Sequence, residues 1–344
     1  MRLLGLIWRL SLKMSCTIND KNTPVLKKIN TSSQCHKCQK KAIIDLQHGS
    51  LCSPHFLHYF EEKVFKTIKK YRLFEKEDKV CVAASGGKDS TAALYLVKKY
   101  FQEHFQLEEN VFALLIDEGI EMHRNESKIN LEQFCKKENV PLEILKVQDY
   151  FSTTLDKIAP TLREAGKKPC TVCGVWRRYL LNKKARELGA TKVVTGHNLD
   201  DEAQAIIMNT FKANTTLTAN LGPISGTKEH PLFVQRVKPL FFCTNEEIEI
   251  YTKVKEWTLD YCNCIYSGEG YRSQVKKMLN EFEEKYPGTK QGIIKSYLEL
   301  LPILKEKLHQ DKERGEIQIC QNCGEPANSG MCNACKLVKE LVER

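Results

Sequence analysis

No apolar run in this 344-residue chain approaches the roughly 20 residues that a membrane-crossing helix requires, so no segment reads as a membrane span. The chain has no internal repeat and no low-complexity tract, which excludes solenoids and repeat arrays. It also lacks the Gly-x-x-x-x-Gly-Lys spacing of a Walker nucleotide site and the paired histidines of a DNA-reading zinc finger. Neither sign of charge is scarce. The formal net charge is +10, of which the first 34 residues contribute +5, from six Lys or Arg against Asp20. The surplus left over is modest: it admits nucleic acid as a partner without demanding it. The opening Met1–Lys13 is apolar and basic but carries no small-residue cleavage pattern. It reads as an over-extended start, with Met14 the true beginning, and residues 1–33 are expected to be largely disordered.

Cysteine, by contrast, is abundant. Of 15 cysteines, eleven fall in tight clusters: Cys35/Cys38/Cys52, Cys170/Cys173, Cys262/Cys264 and Cys320/Cys323/Cys332/Cys335. Such clusters read as metal sites in a reducing compartment and not as a disulfide framework. Cys16, Cys81, Cys135 and Cys243 are scattered and read as packing or incidental thiols.

Between residues 79 and 90 an apolar run breaks into Ala84-Ser-Gly-Gly-Lys-Asp-Ser90. Residues 79–84 have the character of a buried parallel strand, and helical spacing follows. Ser85, Gly86 and Gly87 therefore stand at a strand-to-helix turn, where free N–H groups can cradle phosphate. Lys88 can pair with a phosphate oxygen, and Asp89 suits Mg2+ or a positioning role.

The rest of the chain supplies an α/β frame. Helix is predicted over 56–76, 88–103, 123–138, 153–165, 174–188 and 199–212, and strand over 79–84, 111–117, 142–147 and 191–195. This alternation implies a mostly parallel sheet with helices on both faces, and Ser85, Asp117 and Gly196 should converge beyond its strand C-termini. Residues 213–236, rich in Thr, Asn, Gly and Pro, read as a long mobile or functional connection. Helices resume at 245–258, 272–285 and 291–309.

Cys320-x-x-Cys323 and Cys332-x-x-Cys335 place four thiolates within 16 residues, which suits a closed tetrahedral zinc site. Cys35-x-x-Cys38 with Cys52-x-x-His55 gives a three-sulfur, one-nitrogen version. Closed sites build structure, and small knuckles flanking an enzyme core suit a grip on folded RNA. Cys170 and Cys173 open a basic helix in which seven Lys or Arg between Lys167 and Gly189 face one Glu. The dipole and Arg177 would stabilise their thiolates. Spacing alone leaves open a [4Fe–4S] cluster completed by the 262–264 segment, a zinc site or a persulfide pair. In Thr195-Gly-His-Asn-Leu-Asp-Asp-Glu202, Gly196 allows close backbone approach to a ligand. Asp200 can serve simply as a helix-terminus acid, Asp201 is the candidate for activating or orienting a reacting group, and His197 reads equally as packing residue or catalyst.

Taken in order, these motifs resemble the TtcA/TtuA tRNA 2-thiolation enzymes, and the terminal Cys modules select the TtuA-type branch that includes the cytoplasmic tRNA 2-thiolation proteins. The resemblance spans about residues 35–340. It implies a PP-loop ATP pyrophosphatase (adenine nucleotide alpha hydrolase-like) fold in which ATP adenylates the C2 oxygen of a tRNA uridine and sulfur then displaces AMP. It implies a [4Fe–4S] cluster on Cys170, Cys173 and Cys264, with Cys262 the alternative third ligand. Nucleotide contacts then fall on Ala84, Ser85, Gly86, Gly87, Lys88, Asp89, Ser90, Ile116, Arg177 and Gly196, and the catalytic aspartate on Asp201. Mg2+, two Zn2+, a ubiquitin-like sulfur carrier protein, a homodimer and a cytoplasmic setting complete what it implies. The domains expected are a disordered extension (1–33), an N-terminal zinc module (34–57), the PP-loop domain (58–240), a helical part with the late cluster cysteine (241–315) and a C-terminal zinc module (316–344). The competing readings are another PP-loop ligase of the lysidine-synthetase or amidotransferase kind, which has no need of the three cysteines, and a non-catalytic RNA-binding zinc protein.

Overall fold

The computed structural model describes residues 33–46, 48–226, 230–259, 264–267, 270–310 and 317–341. The expectations for residues 1–32, and Cys262 as a ligand, lie outside the described residues. Two compact units divide the chain, Met1–Phe56 and Leu57–Arg344.

In the first unit, strands β1 (Ile44–Leu46) and β2 (Gly49–Leu51) form an antiparallel hairpin. Helix α1 (Ser53–Tyr71) starts directly after Cys52. The apolar positions Phe60, Val64 and Ile68, spaced one turn apart, are fully or almost fully buried.

The second unit is built on a six-stranded sheet in the order β5-β4-β3-β6-β8-β7. Its first part alternates as expected: β3 (Val80–Ala83), α2 (Lys88–His104), β4 (Val111–Asp117), α3 (Glu121–Lys137), β5 (Leu142–Lys146), α4 (Val147–Phe151), α5 (Leu155–Glu164), α6 (Pro169–Glu187), β6 (Lys192–Val194) and α7 (Leu199–Phe211). Strands β5, β4, β3, β6 and β8 run parallel. The chain winds outward from β3 through β4 to β5 and then returns to place β6 on the other side of β3. The crevice beyond the ends of β3 and β6 is therefore the topological switch point, where open α/β sheets take their ligands.

Two sequence expectations are corrected. The 213–236 connection is not a plain loop: it holds a short helix, α8 (Thr215–Ala219), and the strands β7 (Ile224–Ser225) and β8 (Gln235–Val237). Strand β7 closes the edge antiparallel to β8. Runs of two and three residues are too short to show alternation, so only their pairing, β8 with β6 and β7 with β8, reveals them. Second, α6 begins at Pro169, five residues before the expected start. Proline at a helix N-terminus gives up an N–H that would be unpaired anyway, so Cys170 and Cys173 lie inside the first turns of the helix.

Helices α9 (Asn245–Val254), α10 (Tyr271–Lys285) and α11 (Thr289–Gln310) follow. With α7, helices α10 and α11 enclose an apolar core of Leu199, Ala203, Ile206, Phe241, Val275, Leu279, Ile294 and Tyr297. The opposite face of the sheet is covered by α5 and α6 around Trp176, which is fully buried and stacks on Phe151 with centroids 4.8 Å apart. The terminal hairpin β9 (Gln318–Ile319)/β10 (Pro326–Ala327) and helix α12 (Asn333–Leu341) share that second core. Replacing Trp176 with Ala removes the largest side chain of this face and should cost about 3–5 kcal/mol, read from the shift of the urea unfolding midpoint.

Candidate functional site

The turn after β3 is shaped for an anion. Gly86 has φ +81°, and a Cβ there would lie 2.1 Å from the Ser127 carbonyl oxygen, so only glycine fits. Gly87 caps α2 in an extended conformation with no side chain closing the helix terminus, leaving that end to a ligand's oxygens. The loop is braced internally. Ser90 Oγ accepts from the Ser85 N–H at 3.0 Å and donates to the Gly87 carbonyl at 3.1 Å. The Ala84 N–H is tied to the Leu114 carbonyl of β4 at 3.0 Å, and Ile116 is buried further along the same strand. Lys88 Nζ donates to Asp89 at 2.8 Å and to Asn245 Oδ1 at 2.6 Å.

The end of β6 is pressed against this loop. A Cβ on Gly196 would stand 2.9 Å from both the Asp89 carbonyl carbon and the Ser90 nitrogen. Asn198, 3% exposed, joins the two segments: its Nδ2 donates to Asp89 Oδ1 at 3.0 Å and its Oδ1 accepts from the Asp201 N–H at 3.1 Å. Asp201 completes a capping box on α7. Its other oxygen accepts from Arg272 Nη2 of α10 at 2.9 Å. Asp200 is taken up by Lys290 and the Asn245 N–H. Asp117 stands at the end of β4. Its carboxylate accepts from the Gly119 N–H and shapes the turn that follows. The His197 ring lies in the open crevice and bonds to Thr195 Oγ1 at 2.9 Å. Desolvation by the crevice walls, aided by Lys238, Arg272 and Arg236 and opposed by Glu202, holds it down to about 4, so it is neutral at pH 7.

The central thiols flank the same crevice. Cys170 Sγ donates to the Tyr266 carbonyl at 3.0 Å, and Tyr266 Oη donates to Asp156 Oδ1 at 2.6 Å. These bonds hold the segment bearing Cys264 against α5 and α6. Cys173 Sγ lies 3.5 Å from Arg177 Nη2 and 3.9 Å from Glu118 Oε1. Glu118, wholly buried just past β4, accepts from Arg177 Nε at 2.8 Å. Burial alone would lower the Arg177 pKa, but Glu118 and Cys173 outweigh it and raise it, so the guanidinium stays charged beside the thiol.

Two tight metal-type tetrads are also formed, Cys35/Cys38/Cys52/His55 and Cys320/Cys323/Cys332/Cys335, each with its ligand atoms within 4.8 Å of one another. Cys38 and Cys52 sulfurs are 3.5 Å apart and those of Cys323 and Cys332 3.7 Å, near the ~3.8 Å edge of a tetrahedron with Zn–S of about 2.3 Å. Burial would raise the first thiol of each set, yet backbone N–H donors outweigh it and lower Cys35 to about 5 and Cys320 to about 6. Both donor sets thus fit a tetrahedral ion.

Glu118, Asn198 and Arg272 belong to this site, yet the sequence reading gave them no role. An acid directly after the apolar run of β4 was a usable signal for Glu118. Arg272 carried none, since 71 residues separate it from the carboxylate it binds.

The PP-loop domain family matches residues 57–267. The chain is 33% identical over 314 residues to the tRNA-5-methyluridine(54) 2-sulfurtransferase of Pyrococcus horikoshii, a match covering 90% of this chain and 95% of that one. It is 34% identical over 294 residues to cytoplasmic tRNA 2-thiolation protein 1 of Caenorhabditis elegans, covering 85% and 76%. Among solved structures it matches the U34-tRNA thiolase NcsA of Methanococcus maripaludis with its [4Fe-4S] cluster, with 31% identity, a TM-score of 0.73, and 90% and 96% coverage.

Substituting Gly196 with Ala should push the Asp89–Ser90 backbone out of place. ATP affinity, measured by equilibrium binding, should fall by about tenfold or more while the thermal melt stays near that of the parent chain.

Proposed function

The chain belongs to the PP-loop tRNA 2-thiolation enzymes of the TtcA/TtuA type, and we propose that it is itself an ATP-dependent tRNA sulfurtransferase that makes 2-thiouridine in the cytoplasm. One observation carries this reading. A phosphate-type turn (Ser85–Ser90), a carboxylate held ready (Asp201) and three thiols (Cys170, Cys173, Cys264) flank a single crevice at the sheet's switch point.

In this reading the N–H groups at the start of α2 hold the ATP phosphates, and Lys88 turns from Asp89 to a phosphate oxygen. Asp89 is the carboxylate placed to hold Mg2+. The uridine O2 attacks the α-phosphorus; an O–P bond forms, the α–β bridge breaks and pyrophosphate leaves. A urea-like oxygen is a poor leaving group, and as part of AMP it becomes a good one. Asp201, its carboxylate fixed by Arg272 and the α7 terminus, takes the N3 proton that the activated uracil sheds. A sulfur nucleophile then adds at C2 and AMP departs with the former O2. A [4Fe–4S] cluster on Cys170, Cys173 and Cys264 would supply an iron without a protein ligand, at which sulfide can be held. Arg177, kept charged by Glu118, stabilises anionic charge beside these thiols. The two tetrads hold Zn2+ and build the terminal modules, so that the chain runs as extension, zinc module, PP-loop domain, helical part and second zinc module. Membership in the family further supports a ubiquitin-like carrier protein as sulfur source and a homodimer as working unit, which light scattering on the purified protein reads.

Anaerobically purified protein should carry iron and zinc together. Cys170→Ser, Cys173→Ser and Cys264→Ser should each abolish 2-thiouridine formation from tRNA, ATP and sulfide, with the iron content falling in parallel. Asp201→Asn should lower pyrophosphate release by about 100-fold or more without altering iron. Iron-free protein that still thiolates would remove the cluster from this reading and leave the adenylation. Cys320→Ser should take zinc content down to that of one tetrad and lower the melting temperature, whereas unchanged zinc would refute the assignment.

A further inference from the structure

Two arginines at the crevice, Arg178 and Arg236, form no ion pair with an acid among the described residues. Asn182 of α6 donates to the Leu232 carbonyl at 2.7 Å and accepts from the Val234 N–H at 3.0 Å, which fixes how α6 lies along the approach to β8. Arg178 stands one turn before Asn182, and Arg236 two residues beyond Val234, so this register brings their side chains together at the strand-end side of the contact. Arg236 pairs with Val193 of β6, a residue of the core beneath α6, which places it on the α6 face. The Arg178 guanidinium lies over Gly174, where a Cβ would meet its Nη1 at 3.3 Å. A mid-helix glycine costs about 1 kcal/mol against alanine; here it lets that guanidinium lie one turn from Cys173. Among the described residues neither arginine forms an ion pair or hydrogen bond. Desolvation and a neighbouring guanidinium (Arg177 for Arg178, Arg178 for Arg236) push both below the usual arginine value, opposed at Arg178 only in part by the Cys173 thiol. Cations pressed together without an acid are relieved by an anionic ligand.

We infer that Arg178 and Arg236 form a subsite for a backbone phosphodiester of the substrate tRNA, next to the nucleotide whose C2 is presented to the thiols. This rests on the tRNA reading above. The ATP phosphates are taken by the turn after β3, with β6 standing between that turn and β8. The phosphate flanking the target uridine is an anion that the reading above leaves without a partner. Arginine's planar fork suits it, and such contacts set register without reading sequence.

The test uses the anaerobically loaded full chain carrying Arg178→Ala, Arg236→Ala, both together, and the matching Gln variants as a control for folding. tRNA binding is measured without ATP over a salt series, and ATP binding separately. Each single change should weaken tRNA binding about tenfold, and the double variant should flatten the slope of log Kd against log salt by about 1. ATP affinity and the melting curve should stay as in the parent chain. Unaltered tRNA binding and slope in a folded double variant would overturn the subsite. So would a loss confined to ATP, which would give the pair to the triphosphate, or a loss confined to the thiocarboxylate-ended carrier. Parent protein that binds tRNA with this arginine-dependent slope but never yields 2-thiouridine would sink the proposed function and keep the subsite. Parent protein that binds no tRNA would sink both.

Discussion

The site depends on how closely the end of β6 approaches the turn after β3. Gly196 touches the Asp89–Ser90 backbone where no side chain would fit, and the buried Asn198 bonds to Asp89 with one end and to the first turn of α7 with the other. Two segments more than a hundred residues apart thereby become one rigid wall. A donor and an acceptor on a single amide, both buried, tolerate little displacement, because leaving either unpaired costs about 1–3 kcal/mol. The phosphate turn, the acid of α7 and, through Arg272, the start of α10 are all referenced to that amide.

The acids of the crevice are paired before any substrate arrives: Asp89 with Lys88, Asp201 with Arg272, Asp200 with Lys290 and Glu118 with Arg177. The pairs differ in depth. Glu118 is wholly enclosed, so its partner cannot be withdrawn without stranding a buried charge. Asp89 and Asp201 are each about one-third exposed, and their pairs are weak enough to exchange partners when phosphate or base enters. The fixed pair holds geometry beside the thiols, and the exchangeable pairs stand at the phosphate turn and at the start of α7.

Much of this was legible in the sequence because glycine, cysteine and helix-start acids report local demands. Gly86 and Gly196 mark backbone that a Cβ would obstruct, and the Cys-x-x-Cys spacings mark tetrads that close within short loops. The parallel strands showed themselves as apolar runs. What escaped is held by contacts distant in sequence. Strands β7 and β8 are too short to show a pattern and exist through pairing, β8 with β6 and β7 with β8. Arg272 reaches Asp201 from another helix. Asp117, placed at the crevice by the end of its strand, spends its carboxylate on the next turn. Asp201, read as purely functional, is also half of a capping box.

The C-terminal tetrad does not hang from the molecule as a separate knuckle. Its cysteines share a core with Trp176 and Leu180, and ion pairs grip α6 near both ends, Lys167 to Glu340 and Arg186 to Glu325. That helix opens with Cys170 and Cys173. On the proposed assignment, an ion lost from this tetrad would loosen the scaffold beneath Cys170 and Cys173. Supply of zinc would then become a condition for retaining the cluster, and a cell deprived of zinc would show the deficit as undermodified tRNA.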